Sequence, residues 1–425
     1  MSLNPSVHDE LPAAALHRQE TSPAVANRHP QAHRRVALLT NEIPPYRVPV
    51  YRELAATPGW DFEVFTCIDR EQDRLWNVED TFPFATRRSA SFSYKRTVRR
   101  SGPESYDDIR QIHLPVGLFK DLYRFSPDVV ISAELGARTL IAATYTRLLG
   151  RKLITYFEGT PHTEQDLTRA QRLLRSRLCR LPNGYLVNGR QGRAYLEGMG
   201  VTSQSIFEIG QAIDTESFVT PIAPDVRKAL RTKLGIRGHA YLCCGRLIPL
   251  KGLDQLLEAW KVFSDGVDGE VTLVLAGDGS ERNRLERRVV EAGLSNVRFL
   301  GHLQREELPQ LYHAVDVLIF PALIDCWALV VAEAMASGIP VINSIYTGSV
   351  ELTVEGETGW IIDPHQVSEI TDKLWAAWHA RTKRDTFRSA VQARIAEQDV
   401  KSVAARMCDA VEYVSQLNRT TSSKS

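Results

Sequence analysis

The sequence predicts an α/β protein built from two doubly wound, Rossmann-like domains that face each other across a cleft. Three observations support this prediction. Short apolar runs of strand length alternate with helix-compatible stretches over most of the chain. The alternation stops in the proline-containing stretch 210–225 and then starts again. The chain has 425 residues, more than one hydrophobic core usually serves, so we expect two cores.

The first half of the chain reads as a series of buried strands, each followed by a helix or a loop. An apolar run begins at Arg34 and ends before two prolines, which favours a strand and then a loop. A helix follows from Val48. Further strands are predicted at residues 61–68, 127–134, 152–159 and 184–189. Residues 70–103 match neither periodicity, so we expect a surface excursion with little regular structure there.

The second half repeats the pattern from residue 240 onwards. Its predicted strands lie at 240–245, 271–277, 296–301, 315–321 and 340–344. These strands are nearly continuous apolar runs separated by helices, which is typical of parallel sheets covered on both faces. Ligands of such sheets bind beyond the carboxyl ends of the strands. The sequence therefore predicts a binding site in the cleft between the domains.

These elements divide the chain into six predicted segments. In order they are a disordered leader (1–33), a first domain (34–211), a hinge without an apolar face (212–224), a second domain (225–395), a C-terminal helix that packs back on the first domain (396–417) and a disordered tail (418–425).

Composition excludes several classes of partner. The 52 basic and 51 acidic residues leave a net charge of +1, so no overall field favours nucleic acid. The six cysteines include no C-x-x-C pair, which suits a reducing compartment. No apolar run approaches the roughly 18 residues that a membrane span needs. We therefore expect a cytoplasmic protein that does not bind nucleic acid.

The stretch 245–252, GRLIPLKG, has the features of an anion site. A strand ends at Gly245 and Arg246, and Lys251 lies just before a helix that begins near Leu253. Two cations beside a helix N-terminus favour a diphosphate, because free N–H groups and the positive end of the helix dipole point the same way. The alternative is that both cations are ordinary surface charges.

Two carboxylates, Asp325 and Glu333, stand eight positions apart in an apolar stretch. Within one helix they would lie about 80° apart and would not share a face. Asp325 is therefore expected just outside the helix, where it accepts N–H bonds or contacts a ligand. Glu333 is expected inside the helix, where an unpaired buried carboxylate would be costly. Ribose hydroxyls would be suitable partners for it. The alternative is a helix cap and a solvated glutamate.

The second half resembles the large retaining glycosyltransferase family that includes sucrose synthases and phosphatidylinositol mannosyltransferases. The motifs that carry the resemblance run in family order: IGQAIDTESF, GRLIPLKG, LAGDG, VRFLGHLQREELPQLYHAVDVLIFPA, a D-x7-E pair and GSVELTVEGETGWIIDP. The resemblance implies the two-Rossmann GT-B fold. It makes residues 34–211 the acceptor side and residues 225–395 the nucleotide-sugar-binding domain.

The resemblance also implies roles for the candidate residues. It assigns Gly245, Arg246 and Lys251 to the donor diphosphate, Glu333 to the ribose and Asp325 to hydroxyls of the donor sugar. Backbone amides at Ala328, Leu329 and Val330 would contact the phosphates, and the loop formed by Gly301, His302 and Leu303 would contact the base.

The resemblance implies chemistry without a metal or another cofactor, because fixed cations can stabilise the departing nucleoside diphosphate. No D-x-D motif occurs in the chain. The chain departs from the family pattern at Asp325, usually Glu, and at Ala328, usually Gly and here preceded by Trp327. The loop NEIPPYRVP also lacks the Gly-Gly that many members have near the acceptor.

Two residues of the first domain are alternative candidates for the catalytic side of the cleft. In TYFEGTPH, the family often presents a histidine after the strand. Here Glu158 follows the strand directly and His162 comes four residues later. Either side chain could line the cleft, and a lone loop histidine is more often a surface residue.

The segment from Arg169 to Leu181 has two interpretations. Its leucines fall along one stripe and most of its arginines elsewhere, which is typical of a helix on an anionic membrane surface. An ordinary domain helix that packs its leucines inward gives the same pattern. In the first case the protein would associate with the inner face of the membrane.

We therefore predict a retaining, metal-independent transferase that moves a sugar from a UDP- or GDP-linked donor to a hydroxyl of a glycan or lipid-linked acceptor. Surface polysaccharide biosynthesis is the expected setting. Two alternatives remain. The acceptor could be a soluble small molecule, or the chain could be a non-catalytic nucleotide-sugar-binding subunit.

Overall fold

The computed structural model describes residues 33–69, 81–100 and 106–417. Strands between residues 34 and 208 form a seven-stranded parallel sheet, and strands between 239 and 362 form a six-stranded parallel sheet. This arrangement confirms the predicted fold class. The predicted disordered tail, and all of the predicted leader except His33, lie outside the described residues.

The first sheet has the strand order β3-β2-β1-β6-β7-β8-β9. Its strands are β1 (Arg34–Leu39), β2 (Trp60–Thr66), β3 (Ala85–Arg88), β6 (Val129–Ser132), β7 (Lys152–Phe157), β8 (Gly184–Val187) and β9 (Ile206–Glu208). A separate antiparallel hairpin pairs β4 (Phe92–Arg100) with β5 (Tyr106–Leu114). The helices in this part of the chain are α1 (Val48–Ala55), α2 (Leu118–Phe125), α3 (Ala137–Leu148), α4 (Arg169–Leu178) and α5 (Arg190–Gly198).

The second sheet has the strand order β12-β11-β10-β13-β14-β15. Its strands are β10 (His239–Cys244), β11 (Val271–Ala276), β12 (Val297–Gly301), β13 (Val317–Phe320), β14 (Val341–Ser344) and β15 (Gly359–Ile362). The helices are α6 (Thr215–Val219), α7 (Pro224–Lys233), α8 (Leu253–Gly266), α9 (Arg282–Glu291), α10 (Leu308–Ala314), α11 (Leu329–Ala336), α12 (Val367–His379), α13 (Arg384–Ile395) and α14 (Val400–Gln416).

Both faces of each sheet are buried, which explains the continuous apolar runs. In β1, Val36 and Leu38 join a core cluster with residues of α1 and α14, whereas Ala37 and Leu39 join another with residues of α2 and α3. Alternate side chains of a strand point to opposite faces, so a strand covered on both faces must be apolar at nearly every position.

The last helix, α14, packs on the first sheet although it follows the second sheet in the chain. Val403, Met407 and Val411 are buried in the same core cluster as the apolar residues of α1. Arg34 of β1 also forms an ion pair with Glu412 of α14, with 2.6 Å between Nε and Oε1. The chain therefore crosses between the two domains a second time, just before α14.

The prediction of little regular structure over residues 70–103 is wrong for its described part. Strand β3 lies at the edge of the first sheet, and β4 is one arm of the hairpin. Phe92 and Tyr94 of β4 are 63% and 42% exposed. An exposed hairpin is stabilised by cross-strand pairs and not by burial, so its sequence lacks the apolar alternation on which the prediction relied.

Three other expectations need correction. The hinge contains α6, and Phe218 in that helix is buried in the core of the second domain together with Ile213, so the segment does have an apolar side. Strands β9 and β15 were not predicted. Strand β9 has only three residues, and β15 contains Gly359 and Trp360 in place of a β-branched run.

The candidate membrane helix agrees with each of the two interpretations in part. Helix α4 ends at Leu178, which is buried, whereas Leu173 and Leu174 are each 57% exposed. The inward-packing interpretation therefore accounts for the end of the helix but not for its centre. No helix in the described part of the chain is long and apolar enough to cross a membrane.

Each sheet has one point where the strand order reverses direction. In the first sheet it lies between β1 and β6, and in the second between β10 and β13. The loops that leave neighbouring strands on opposite faces separate there and open a crevice at the carboxyl ends. We name the crevice of the second sheet, formed by residues 245–252 and 321–330, the C-terminal crevice.

Candidate active site

The C-terminal crevice is closed at its base by contact between its two loops. The backbone N–H of Leu323 donates a hydrogen bond to the carbonyl of Leu250 at 2.9 Å. Gly252 has a left-handed backbone (φ 64°), and a Cβ there would lie 2.0 Å from the Pro321 carbonyl oxygen. Only glycine allows this approach. It holds Lys251, at the start of α8, against the end of β13.

Lys251 and Asp325 form an ion pair across the crevice, with 2.5 Å between Nζ and Oδ2. Oδ1 of Asp325 accepts hydrogen bonds from the backbone N–H groups of Trp327 at 2.9 Å and Ala328 at 2.7 Å. Burial opposes the charge on Asp325, but Lys251 and the two N–H groups outweigh it, so the pKa of Asp325 lies below its usual value. As predicted, Asp325 precedes the helix and accepts N–H bonds.

The N-terminus of α11 faces the same crevice. Because Asp325 takes the N–H of Ala328, that group is not available for the phosphate contact that the resemblance implies. Leu329 and Val330 are the first residues of the helix, where N–H groups have no intrahelical partner. Arg246, after β10, is exposed at the other side of the crevice. Lys251 and the N-terminus of α11 thus lie together where the sequence predicted a diphosphate, and Arg246 begins the loop that carries Lys251.

Ala328 has a strained backbone. Its φ of 62° and ψ of 77° lie in the left-handed region, and the described residues include one other non-glycine residue with positive φ, Ser126. A Cβ in this region costs on the order of 1–2 kcal/mol. Ala328 keeps the conformation because Asp325 binds its N–H.

Ala328→Gly is expected to stabilise the protein by about 1 kcal/mol, because glycine adopts positive φ without strain. The thermal unfolding midpoint should rise. Ala332→Gly, one turn later in α11, is the matched control and should lower the midpoint, since glycine weakens a helix interior. A fall in the midpoint for Ala328→Gly would show that its backbone is not strained.

Glu333 lies in α11 and is half-buried beside Tyr312 of α10. The Tyr312 hydroxyl donates a hydrogen bond to Oε2 of Glu333 at 2.9 Å. Burial raises the pKa of Glu333 above its usual value, although Tyr312 and the nearby Arg305 act in the opposite direction. One carboxylate oxygen is therefore held by a neutral donor, and the other can accept bonds from a ligand hydroxyl.

The third predicted donor contact, residues 301–303, lies at the end of β12. Gly301 is buried, His302 is exposed, and Leu303 packs against the core of the second domain. The carbonyl of Gly301 accepts a hydrogen bond from the N–H of Gly277 at 2.7 Å. The loop therefore begins beside the end of β11, at the same sheet edge as the C-terminal crevice.

The first domain supplies a charged pair opposite this crevice. Arg47 follows the prolines after β1, and its Nη2 donates to Oε1 of Glu158 at 2.5 Å. The guanidinium carbon of Arg47 lies 4.5 Å from the centroid of the Tyr156 ring. Arg47 is buried, whereas the Glu158 side chain is 39% exposed. Arg47 thus holds a partly exposed carboxylate at the cleft.

A small pocket lies between the domains. Its lining includes Glu158, Asn188 and Gln191 of the first domain and Cys326, Trp327 and Gly348 of the second. Since Cys326 and Trp327 directly follow Asp325, the pocket extends from the C-terminal crevice towards Glu158. Of the two alternative residues of the first domain, the structure places Glu158 in this pocket.

His162 takes a different position. Its ring packs edge-on against Tyr346, which follows β14, with 5.0 Å between ring centroids and an angle of 89°. Burial lowers the pKa of His162, which favours the neutral ring. His162 therefore makes an aromatic contact between the domains and is not among the residues that line the pocket.

A second contact between the domains joins Glu351 to the N-terminus of α5. Glu351 lies in a 3₁₀ segment, Gly348–Leu352, and its Oε2 accepts a hydrogen bond from the backbone N–H of Arg190 at 2.9 Å. A Cβ on Gly189 would lie 1.9 Å from Oε1 of Glu351, so the contact requires glycine. Burial raises the pKa of Glu351 to about 7, against the effect of Arg190. This carboxylate holds one wall of the pocket to the other.

Stability should depend on pH through Glu351. Its pKa is higher in the folded protein than in the unfolded chain, so the folded state binds the proton more tightly. Its contribution is fully present below about pH 4.3 and is lost as pH rises through about 7, a change of about 4 kcal/mol. Glu351→Gln should remove this dependence while keeping an acceptor for Arg190.

The measurement is the difference in thermal midpoint between wild type and Glu351→Gln from pH 5 to pH 8. The wild type should lose stability relative to the variant as pH rises. Equal pH profiles would show that Glu351 is not held in this buried contact. The comparison with the variant cancels other groups that titrate in the same range.

Sequence patterns did not identify three residues of the candidate site, namely Arg47, Gln191 and Glu351. Arg47 lies in the loop after β1, at the switch point of the first sheet, and the rule that ligands bind at such points could have drawn attention to it. Gln191 and Glu351 carry no local signal. They matter because Gln191 donates to the Thr347 carbonyl at 3.3 Å and Glu351 accepts from Arg190, contacts between residues far apart in the chain.

Comparison with known proteins identifies similar sequences and similar folds. Residues 227–394 match the model of the family described as glycosyl transferases group 1. Mannosylfructose-phosphate synthase of Agrobacterium fabrum is 27% identical over 183 residues, which cover 41% of this chain and 40% of that protein. A GDP-mannose-dependent monoacylated alpha-(1-6)-phosphatidylinositol monomannoside mannosyltransferase of Corynebacterium glutamicum is 30% identical over 183 residues, covering 40% and 47%. The chain spans less than half the length of both relatives.

A solved structure extends the similarity in fold to both domains. The HepE protein of Anabaena, in complex with UDP, superimposes with a TM-score of 0.70 at 18% sequence identity. The match covers 89% of this chain and 100% of that one. The matched family segment contains Arg246, Lys251, Asp325 and Glu333. From these findings residues 227–394 are similar to the group 1 glycosyl transferases, and the chain has the two-domain GT-B fold.

Proposed function

We propose that this protein is a retaining glycosyltransferase that moves a sugar from a nucleoside diphosphate to an acceptor hydroxyl without a metal ion. The observation that carries the proposal is the C-terminal crevice. Lys251, Arg246 and the N-terminus of α11 converge there, next to a pocket that reaches Glu158 in the other domain. A diphosphate bound in the crevice would direct its sugar towards that pocket.

The chemistry follows from where charge develops. The bond between the anomeric carbon and the diphosphate oxygen breaks, and the leaving nucleoside diphosphate gains negative charge. Lys251, Arg246 and the first N–H groups of α11 stabilise that charge, which is the contribution that a divalent cation makes in other transferases. The acceptor oxygen bonds to the anomeric carbon on the face that the diphosphate leaves, and its proton passes to a phosphate oxygen. Attack on that face retains the anomeric configuration.

The two carboxylates serve different parts of the donor in this proposal. Glu333 binds the ribose hydroxyls with the oxygen that faces away from Tyr312. Asp325 has about four acceptor positions, and Lys251 and the N–H groups of Trp327 and Ala328 take three of them. The position that remains can accept one hydroxyl of the sugar. Residues 301–303 contact the base.

The proposed acceptor is a hydroxyl of a glycan or of a lipid-linked glycan in surface polysaccharide biosynthesis. The exposed centre of α4 supports a membrane location, because Leu173 and Leu174 are surrounded by the arginines of that helix. The mannosyltransferase of Corynebacterium glutamicum has a phosphatidylinositol derivative in its name. Sedimentation with anionic vesicles, lost in Leu173→Ser/Leu174→Ser, is the expected result. Equal sedimentation of that variant would contradict the membrane contact.

The test of the function is release of nucleoside diphosphate by the purified chain from a panel of UDP- and GDP-linked sugars, with and without acceptor extracts. We expect turnover with at least one donor, unchanged by EDTA. Turnover that stops in EDTA and returns with Mn²⁺ or Mg²⁺ would contradict the metal-independent mechanism. Binding of a donor without transfer or hydrolysis would instead identify a non-catalytic nucleotide-sugar-binding subunit.

A further inference from the structure

Three arginines pair with one half-buried carboxylate at the amino-terminal edge of the second sheet, and a fourth arginine lies on the same helix as one of them. Asp316, directly before β13, pairs with Arg227 of α7 at 2.7 Å, with Arg231 of the same helix at 3.2 Å and with Arg384 of α13 at 3.5 Å. In the described ranges, Asp316 is the only acidic ion-pair partner of these three arginines. One carboxylate therefore faces several guanidinium groups.

The fourth arginine, Arg388, lies one turn after Arg384 on α13. It is half-buried, its Nε atom is inaccessible, and within residues 33–69, 81–100 and 106–417 no hydrogen bond or ion pair is recorded for it. Buried donors are rarely left without an acceptor, since the loss costs about 1–3 kcal/mol per group and more for a charged one.

The cations affect one another. Burial lowers the pKa of Arg384, and the positive charges of Arg227, Arg388 and Arg231 lower it further, whereas Asp316 is the one neighbour that raises it. The four arginines and Asp316 together carry a net charge of +3. The carbonyl oxygens of His313, Ala314 and Gly238 already accept other donors of Arg227 and Arg231. A bound group would therefore offset the positive charge and supply acceptor atoms chiefly to Arg384 and Arg388.

We propose that this cluster is a second binding site, for a phosphate-class oxyanion. Arg384 and Arg388 provide the free guanidinium edges, and Arg227 lies across from them on α7. A phosphate group carries up to two negative charges and presents several oxygens to planar guanidinium groups. It therefore offsets the excess positive charge of the cluster better than a single carboxylate does. The ligand is free phosphate or the phosphate group of a small metabolite.

This site is separate from the C-terminal crevice and does not depend on the proposed transferase activity. Asp316 and His239 lie at the amino ends of β13 and β10, whereas Arg246 and Asp325 lie beyond the carboxyl ends of the same two strands. The two sites therefore occupy opposite edges of the sheet. A diphosphate in one cannot contact the other.

The test is a titration of the full chain with inorganic phosphate at constant ionic strength, in which phosphate replaces chloride, followed by thermal midpoint. Wild type and Lys251→Ala should both gain stability, because Lys251 lies in the other site. Arg388→Gln should bind phosphate at least about tenfold more weakly. Arg287→Gln removes a charge from an exposed arginine of α9 and should behave as wild type.

The variant Arg384→Lys controls for loss of folding, because lysine keeps the positive charge but lacks the planar guanidinium group. It should stay folded by circular dichroism and still bind phosphate more weakly. A glucose phosphate that stabilises the protein more than inorganic phosphate does would identify the metabolite as the source. No phosphate response in wild type, equal responses in wild type and Arg388→Gln, or a response lost only in Lys251→Ala would overturn the proposal. Binding of an acidic peptide without binding of phosphate would also overturn it.

Discussion

Lys251→Ala is expected to reduce glycosyl transfer by about 10²- to 10³-fold, the loss found when one donor to a developing oxyanion is removed. Lys251 is 15% exposed and lies at the switch point of the second sheet, where it would contact the diphosphate as the bond to the sugar breaks. The fall should appear in turnover, because this contact strengthens as the leaving group gains charge. Turnover close to wild type would remove Lys251 from the site.

The control separates catalysis from stability. Without Lys251, the carboxylate of Asp325 stays buried and keeps only its two N–H partners, so Lys251→Ala should also lower the unfolding midpoint. Lys251→Ala/Asp325→Asn removes the uncompensated charge and should regain stability without regaining transfer. Lys261→Ala in α8, which removes an exposed lysine paired with Asp265, should change neither quantity.

Glu333→Gln and Asp325→Asn are expected to affect different steps. Glu333 is assigned to the ribose, so its change to glutamine should weaken binding of the free nucleoside diphosphate about tenfold or more, by analogy with one lost charged hydrogen bond. Asp325→Asn releases Lys251 from its ion pair and removes a negative charge beside the phosphates. Its affinity for the nucleoside diphosphate should stay within about threefold of wild type or increase, while turnover falls.

Isothermal titration calorimetry with UDP and with GDP measures this difference, because neither ligand contains a transferred sugar. Wild type and both variants should be compared at one ionic strength, since screening changes phosphate binding. If Asp325→Asn weakens the nucleotide as much as Glu333→Gln does, then Asp325 acts by holding the N-terminus of α11 in place and does not bind the sugar.

The elements that position the site could be predicted from the sequence because their signals are local. Strands β10 and β13, and β1 from Val36 onwards, are apolar at nearly every position, and Lys251 and Gly252 stand together just before α8. The placement of Asp325 outside α11 followed from its spacing to Glu333. In each case a few neighbouring residues determine both the backbone and the side chain's direction.

The contacts that could not be predicted join residues far apart in the chain. Arg47 pairs with Glu158 over 111 positions, and Glu351 reaches Arg190 over 161. The residues next to Glu158 and Glu351 in the sequence do not indicate these partners. The partners come close only in the folded protein, when both sheets and the crossover to α14 have formed. The β4–β5 hairpin was missed for another reason, because exposed strands carry no burial pattern.

Hydrogen–deuterium exchange of the purified chain, with and without saturating nucleoside diphosphate, tests the central claim most directly, because it locates the bound ligand along the backbone. With UDP or with GDP, we expect slower exchange in the segments 245–252 and 321–333 on the two sides of the β10–β13 switch point, with less change in segments of the first sheet. Protection centred elsewhere, or no protection with either nucleotide, would contradict the assignment of the C-terminal crevice as the donor site.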